Sequence, residues 1–437
     1  MADQYFLWEK EGKRFFELPP AWRVLNNLAL EAEKVDQTIC DMVEKSLVNP
    51  IGTPPLKEMI KPTDKVVLMV DDFARPTPKG EVLGCVIRHL ETLGIKHNQI
   101  DVLFALGTHR PLSEAEVEEA LGKELLGKIR YSNHNSRSEK LVSIGRLKTG
   151  GEVKINPLLL EADFRIGIGS VVPHPFSGFG GGPKIIMPGV ANFDAIREHH
   201  IAHMIAPGSS LGNLQGNHFF EEICEVARMA KLDFIVNAVY NAKEEVKEIV
   251  SGHFIKAHRR GVDLTSRELM VKIDQVADVS IASSFPYDEG PQIMKPLGIP
   301  AMMTKQGGTV ILTASVRGGK LPDVLLQAFD KAFDLAKGDP KRLVLDYLRD
   351  GRLIAPNAPM DFNCALKLTL LYLSRVKVIL VSKDVGRDDA ARLGFGHADS
   401  LEEAIQKVLK EVPRGEVNIL PAAGLVIPVM KEELRFQ

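Results

Sequence analysis

The sequence predicts an α/β protein with two α/β domains. Three observations carry this. Short continuous apolar runs of strand length recur, as buried parallel strands require. Each of the first three such runs, Lys65 to Val70, Asp101 to Leu106 and Phe164 to Ser170, leads directly into a polar loop. A second set of alternating strands and helices begins near Ala277. At 437 residues, 45% of them hydrophobic and 26% charged, the chain is long enough for two or three globular cores.

Taken in order, residues 1 to 20 suggest a short hairpin or arm, and Asn26 to Lys45 a helix. Asn49-Pro50 and Ile51-Gly52 are turn chemistry. The Lys65 to Val70 run opens onto DDFARPTP, where Pro76 and Pro78 stop a helix and leave Asp71, Asp72 and Arg75 on a loop at a strand's C-terminal end. Ligands bind at such ends in open α/β sheets. Glu81 to Leu93 reads as a helix. Asp101 to Leu106 then delivers GTHRP, with His109 and Arg110, to the same rim. Ser113 and Glu116 form a capping box for a helix to about Gly127. Tyr131 to Thr149 is less regular.

The third strand delivers HPFSGFGGGPKIIMPG, His174 to Gly189, around which the chain is organised. Four of the five residues from Gly178 to Gly182 are glycine, a composition no helix or strand favours. A P-loop would need Gly-Lys-Ser/Thr at a helix start, but Pro183 precedes Lys184 and Ile185 follows it. A mobile surface turn, a phosphate cradle and a reactive amine at Lys184 are the three readings. Asn192 to Ile205 reads as a helix carrying His199, His200 and His203. His199 and His203 share a face, and HExxH is absent. Seven of the 12 histidines fall between His109 and His218, which favours a shared site over scattered single residues. Asp233 to Tyr240 and the segment after it suggest a strand pair.

In the second set, strands are expected at Asp278 to Ala282, Thr309 to Thr313 and Val376 to Ser382. Helices are expected at Leu321 to Ala336, Phe362 to Ser374 and Leu401 to Glu411, with a last strand at Val417 to Leu420. Gln292 and Lys295, spaced i, i+3, follow the first of these strands. The domain boundary is expected at residues 265 to 277.

A net charge of -2 gives no electrostatic case for nucleic acid or anionic membrane. Cys40, Cys85, Cys224 and Cys364 are far apart, so neither a zinc knuckle nor a disulfide framework is indicated. No secretory h-region or membrane-length apolar run is apparent, and a cytoplasmic protein is expected.

The segments VEKSLVNPIG, DDFARPTP, GTHRP and HPFSGFGGGPKIIMPG, the helix holding His200, and the Gln292–Lys295 pair together resemble the lactate racemase family, the nickel-pincer racemases and epimerases of 2-hydroxy acids. The resemblance implies two α/β domains with a cleft between them. The N-terminal domain would span 1–270, joined by a C-terminal strand returning to it within 415–437, and the C-terminal domain 275–412. It implies a nickel ion in a pincer nucleotide, a pyridinium mononucleotide with thioacid groups linked to Lys184, and cofactor biosynthesis proteins as partners. By position, His200 resembles the nickel ligand, and His109 and His174 the two general bases. Arg75, Gln292 and Lys295 resemble the carboxylate-binding groups. Asp72, Gly180, Gly181 and Gly182 fall beside the cofactor. Three departures cluster in the second domain. The Pro286 to Gln292 loop is one residue shorter, Phe362 replaces a tryptophan, and TASVRGGK (Thr313 to Lys320) lacks the family's acidic pattern. They imply a substrate other than lactate. The rival classes are a phosphate- or nucleotide-binding transferase and a non-catalytic nickel- or ligand-binding protein.

Overall fold

The computed structural model describes residues 4–31, 33–288 and 290–430. The chain forms two compact α/β units. One is the continuous segment Ala32–Glu268; the other combines the segment ending at Glu31 with the chain from Leu269 onward. They are called the central and terminal units below, after their place in the sequence.

The central unit holds a six-stranded sheet. Its order is Val246–Gly252, Phe234–Tyr240, Phe164–Val171, Val66–Val70, Ile100–Phe104, Arg130–Asn133. Neighbours are parallel except the first pair, which is antiparallel and is the strand pair that the sequence suggested. Every residue of VVLMV is buried, because helices cover both faces of a parallel sheet. From Val66–Val70 the chain first builds outward through Ile100–Phe104 to Arg130–Asn133. It then returns to the other side of Val66–Val70 with Phe164–Val171. The strand order therefore reverses beside Val66–Val70, which opens a crevice at the C-terminal strand ends. The expected helix over Glu81 to Leu93 is present as Lys79–Thr92, and the Ser113–Glu116 capping box opens Glu114–Leu121.

The terminal unit carries an all-parallel six-stranded sheet. Its order is Gly396–Ala398, Lys377–Val381, Thr304–Thr313, Ala277–Ser283, Gly415–Leu420, Trp22–Asn27. Its helices Asp323–Ala336, Met360–Leu373 and Leu401–Glu411 lie where the sequence puts them. Residues 4–17 form the expected hairpin, Gln4–Glu9 with Gly12–Glu17.

Two expectations about connectivity are corrected. Gly415–Leu420 does meet an N-terminal strand, but inside the second sheet, between Ala277–Ser283 and Trp22–Asn27. It is the N-terminal segment that crosses over; the C-terminal strand does not return to the first sheet, and residues 431–437 lie outside the described ones. Trp22–Asn27 is a strand where a helix was expected from Asn26, and the helix starts only at Ile39. Pairing decides this. Trp22 is buried with its indole N–H on Val412 O at 2.9 Å, and Asn26 Nδ2 donates to Asn418 Oδ1 at 2.7 Å. Tertiary partners of this kind override local helix propensity. The cysteine reading is also amended: Cys40 and Cys85, 45 residues apart, form a single disulfide between the helices Ile39–Val48 and Lys79–Thr92. No helix among the described residues is long and apolar enough to cross a membrane.

Candidate active site

The crevice of the central unit gathers most of the residues singled out in the sequence. The loop after Val66–Val70 brings Asp71 and Asp72, and the loop after Ile100–Phe104 brings His109. Asp72 Oδ2 is paired with His109 Nδ1. Burial works against the Asp72 charge. The neighbouring His109, by charge and hydrogen bond, together with Arg75 and Lys79, outweighs that and holds the carboxyl well below the usual range. An ionised carboxylate can only accept, so His109 carries its proton on Nδ1. In the neutral ring Nε2 is then the acceptor nitrogen. This is the arrangement of an oriented general base.

Asp71 plays a different part. Burial pushes its pKa up, against the pull of Lys79 and of Thr77. Thr77 Oγ1 donates to Asp71 Oδ2 at 2.7 Å and lies 3.0 Å from Ser170 Oγ, tying two strand ends together. Lys79, buried and 3.7 Å from Asp71 Oδ1, donates to the Arg75 and Thr77 carbonyls at 3.0 and 3.3 Å. These contacts fix the DDFARPTP loop from below.

The Phe164–Val171 strand leads to the second cluster. His174 Nδ1 accepts the backbone N–H groups of Phe176 and Ser177, both at 3.2 Å, so the neutral ring is protonated on Nε2. That nitrogen lies 3.4 Å from Lys184 Nζ. Lys184 Nζ donates to Ser177 Oγ at 3.1 Å, and Ser177 Oγ donates to Phe179 O at 2.7 Å. An Nε2–H meets an amine only through the amine lone pair, so the arrangement suits a neutral, nucleophilic lysine. Lys184, His174 and His200 are all buried. The fully buried Phe219 ring gathers them, with the His200 ring 4.9 Å away, Lys184 Nζ 5.5 Å and the His174 ring 6.3 Å.

His200 lies in the helix Phe193–His203. Its Nδ1 donates to Ile196 O at 2.8 Å, which leaves Nε2 as the lone-pair nitrogen. Burial lowers its pKa to about 3, so the ring is neutral at working pH. A neutral imidazole with its other nitrogen anchored on a carbonyl is how metal-binding histidines are held.

The glycines have a use in the loop itself. Gly180 N–H is spent on Val172 O at 2.7 Å and Gly182 N–H on Asn237 Oδ1 at 2.7 Å. Gly181, at φ +74, could not carry a side chain, since a Cβ there would lie 2.6 Å from Ser170 O. A Cβ on Gly182 would meet the His258 ring at 2.6 Å. The glycine run thus lets the loop press onto the strand end and onto buried His258, whose Nε2 donates to Gly180 O at 2.8 Å. Two of its amides are committed to the protein and cannot cradle a phosphate.

Gln292 and Lys295 lie in the terminal unit on the 3₁₀ helix Gly290–Leu297, both half-buried. In a 3₁₀ helix residues three apart eclipse, so the two side chains stand one above the other. Lys295 Nζ sits 4.9 Å over the Tyr287 ring. Sequence reasoning did not find Ser177, Phe219, Asn237 or Lys79. Serine and asparagine in a loop carry no spacing signal, and Phe219 enters the cluster from a helix about 35 residues past Lys184.

Residues 10–212 match the model of the lactate racemase N-terminal domain. The chain is 29% identical over 393 residues to a lactate racemase of Lactiplantibacillus plantarum, covering 89% of this chain and 90% of that one. It is 28% identical over 426 residues to a lactate racemase of Thermoanaerobacterium thermosaccharolyticum, covering 95% and 97%. The solved lactate racemase apoprotein of T. thermosaccharolyticum superposes with a TM-score of 0.85 at 25% identity, over 98% of this chain and all of that one. A structural-genomics protein from Thermotoga maritima shares the fold alone, with a TM-score of 0.66 at 21% identity over 92% of this chain. By domain, sequence and fold together, the chain is a relative of the lactate racemases.

Proposed function

We propose that the chain is a racemase or epimerase acting at C2 of a 2-hydroxy acid, working with nickel in a pincer nucleotide attached to Lys184. The observation that carries this reading is the buried His174–Lys184–His200 cluster around Phe219, one strand away from the Asp72–His109 pair. The residues fit the cofactor. Lys184 offers an amine in a setting that favours its lone pair, and His200 offers one anchored, neutral imidazole of the kind Ni²⁺ takes. When bound, this group supplies hydride acceptance from C2 and hydride return.

The chain's own residues do the rest. His109 takes the substrate hydroxyl proton at Nε2, while Asp72 steadies the imidazolium. His174 faces the substrate oxygen with an Nε2–H in its present tautomer. To serve as the second base, the ring would have to carry its proton on Nδ1 and give up the Phe176 and Ser177 amides. The two histidines come from strands either side of Val66–Val70, so their strand ends stand about 10 Å apart, twice the ~4.8 Å strand spacing. That is room for a small acid between them. Arg75 is assigned to the substrate carboxylate, as Gln292 and Lys295 are by the sequence resemblance.

The substrate class is a 2-hydroxy acid larger or more polar than lactate. Two of the sequence departures meet in the terminal unit, which supports their acting together. Arg317 N donates to Asp288 O at 2.6 Å, and its guanidinium lies 3.5 Å from Asp288 Oδ1. The transferase alternative is disfavoured by the committed glycine amides. A binding-only role is disfavoured by the oriented Asp72–His109 pair.

The test is peptide mass and metal content of protein matured in a host that builds the cofactor. A nucleotide adduct on the Lys184 peptide with stoichiometric nickel is expected, and His200→Ala should lose the nickel. Active protein with a bare Lys184 would sink the reading.

A further inference from the structure

We propose that His199, His203 and Glu222 form a second divalent-cation site, suited to zinc and separate from His200. Their ligand atoms lie within 4.8 Å of one another. His199 and His203 stand one turn apart on the helix Phe193–His203, with ring centroids 5.2 Å apart. Glu222 comes from the helix His218–Met229 that packs against it. Two imidazoles one turn apart with a carboxylate from a second element are a ligand set that Zn²⁺ takes, with a fourth position left to water.

A second observation points the same way. His199 is fully buried, and its Nε2 donates to Phe219 O at 3.0 Å. That bond fixes the proton on Nε2 and leaves Nδ1 with a lone pair, and Nδ1 is buried with no hydrogen-bond partner among the described residues. A buried polar atom without a partner carries a cost that a bound cation would remove. Glu222 is almost fully buried, and among the described residues its two oxygens meet the Lys148 N–H, at 2.6 Å, and His203 Nε2, at 2.7 Å. The Lys148 amide and the Phe219 carbonyl therefore already act as outer contacts that orient two of the ligands. His203 is the partly exposed member and marks the way in.

The site is set apart from His200 by direction. His200 anchors its Nδ1 on its own helix at Ile196 O, and its ring meets Phe219. The residue after His199 is His200 and not glutamate, so no base stands ready for the hydrolytic chemistry of HExxH proteins. The cation's role follows from what it joins. It would clamp the helix bearing His200 to the helix bearing Phe219, and so position both.

The experiment uses the full chain, purified without cofactor and stripped with a chelator. Zn²⁺ is added, excess is removed by desalting, and retained zinc is measured with the melting temperature. Stoichiometric retention with a raised melting temperature is expected. His203→Gln, chosen because His203 is the least buried ligand, should weaken binding by about tenfold or more, and His200→Gln should leave it unchanged. Co²⁺ on the unaltered chain gives a readout that needs no variant: the intense visible bands of a four-coordinate nitrogen–oxygen site are expected. Zinc lost on desalting, weak six-coordinate Co²⁺ bands, or retention that survives His203→Gln and vanishes in His200→Gln would each overturn the proposal.

Discussion

Lys184→Ala protein, matured alongside the cofactor pathway, is expected to melt close to the parent and to show no racemase turnover. The loop does not depend on the lysine for its shape. Gly180 N–H on Val172 O, Gly182 N–H on Asn237 and His258 on Gly180 O hold it, and all survive the change. The stability cost is the lost Ser177 and His174 contacts, about 1 kcal/mol each. On the proposed reading the functional cost is total, because Lys184 is the residue assigned to the covalent link. Lys184→Arg should be equally inactive, since a guanidinium is not a nucleophile at neutral pH. Chiral chromatography of the reaction mixture and a thermal melt of the same sample read both halves of the prediction. Turnover in either variant, with the nickel and nucleotide still present, would remove Lys184 from its assigned role.

The second large effect is expected from Asp72→Asn. An asparagine amide can donate to His109 Nδ1, which would move the imidazole proton to Nε2 and leave no lone pair facing the substrate. Turnover should fall by about 10²–10⁴-fold, the cost of removing a general base, with cofactor loading unchanged. His109→Ala should fall in the same range. In the parent, burial opposes the Asp72 charge but His109 beside it wins, and the folded pKa lies below the unfolded value. The pair therefore adds stability that is fully present above about pH 3.9 and is lost as the pH falls through the lowered folded value. Asp72 stays ionised across the working range, so it accepts from His109 throughout. In Asp72→Asn turnover should fall while the chain still melts cooperatively.

The parallel strands were legible because a strand buried on both faces must be apolar throughout, and VVLMV has no other use. Their polar C-terminal loops were legible for the same reason in reverse, which placed Asp72, His109 and His174 on one sheet. Trp22–Asn27 was not legible. Its partner, Gly415–Leu420, lies almost 400 residues later, and nothing local distinguishes WRVLNN from the start of a helix. The Cys40–Cys85 disulfide was hidden by the same kind of distance. The glycine run was legible as a special backbone, but its reason was not. The obstacles are Ser170 O and the His258 ring, which only the fold brings near. The His199–His203 face could be read from i, i+4 spacing, whereas Glu222 could not, since it sits on a separate helix. The tautomers of His109, His174 and His200 are set by their hydrogen-bond partners, which no spacing in the sequence reveals.

The proposed reaction is inversion at C2 of a 2-hydroxy acid. The direct measurement incubates nickel-loaded protein with a panel of single-enantiomer 2-hydroxy acids, lactate included, and follows the opposite configuration at C2 by chiral chromatography. Inversion of at least one larger or more polar acid is expected, with kcat/KM above that for lactate. Lactate emerging as the best substrate would contradict the specificity assigned to Phe362, the Pro286 to Gln292 loop and the Thr313 to Lys320 segment. No inversion of any acid in the panel by loaded protein would contradict the function itself.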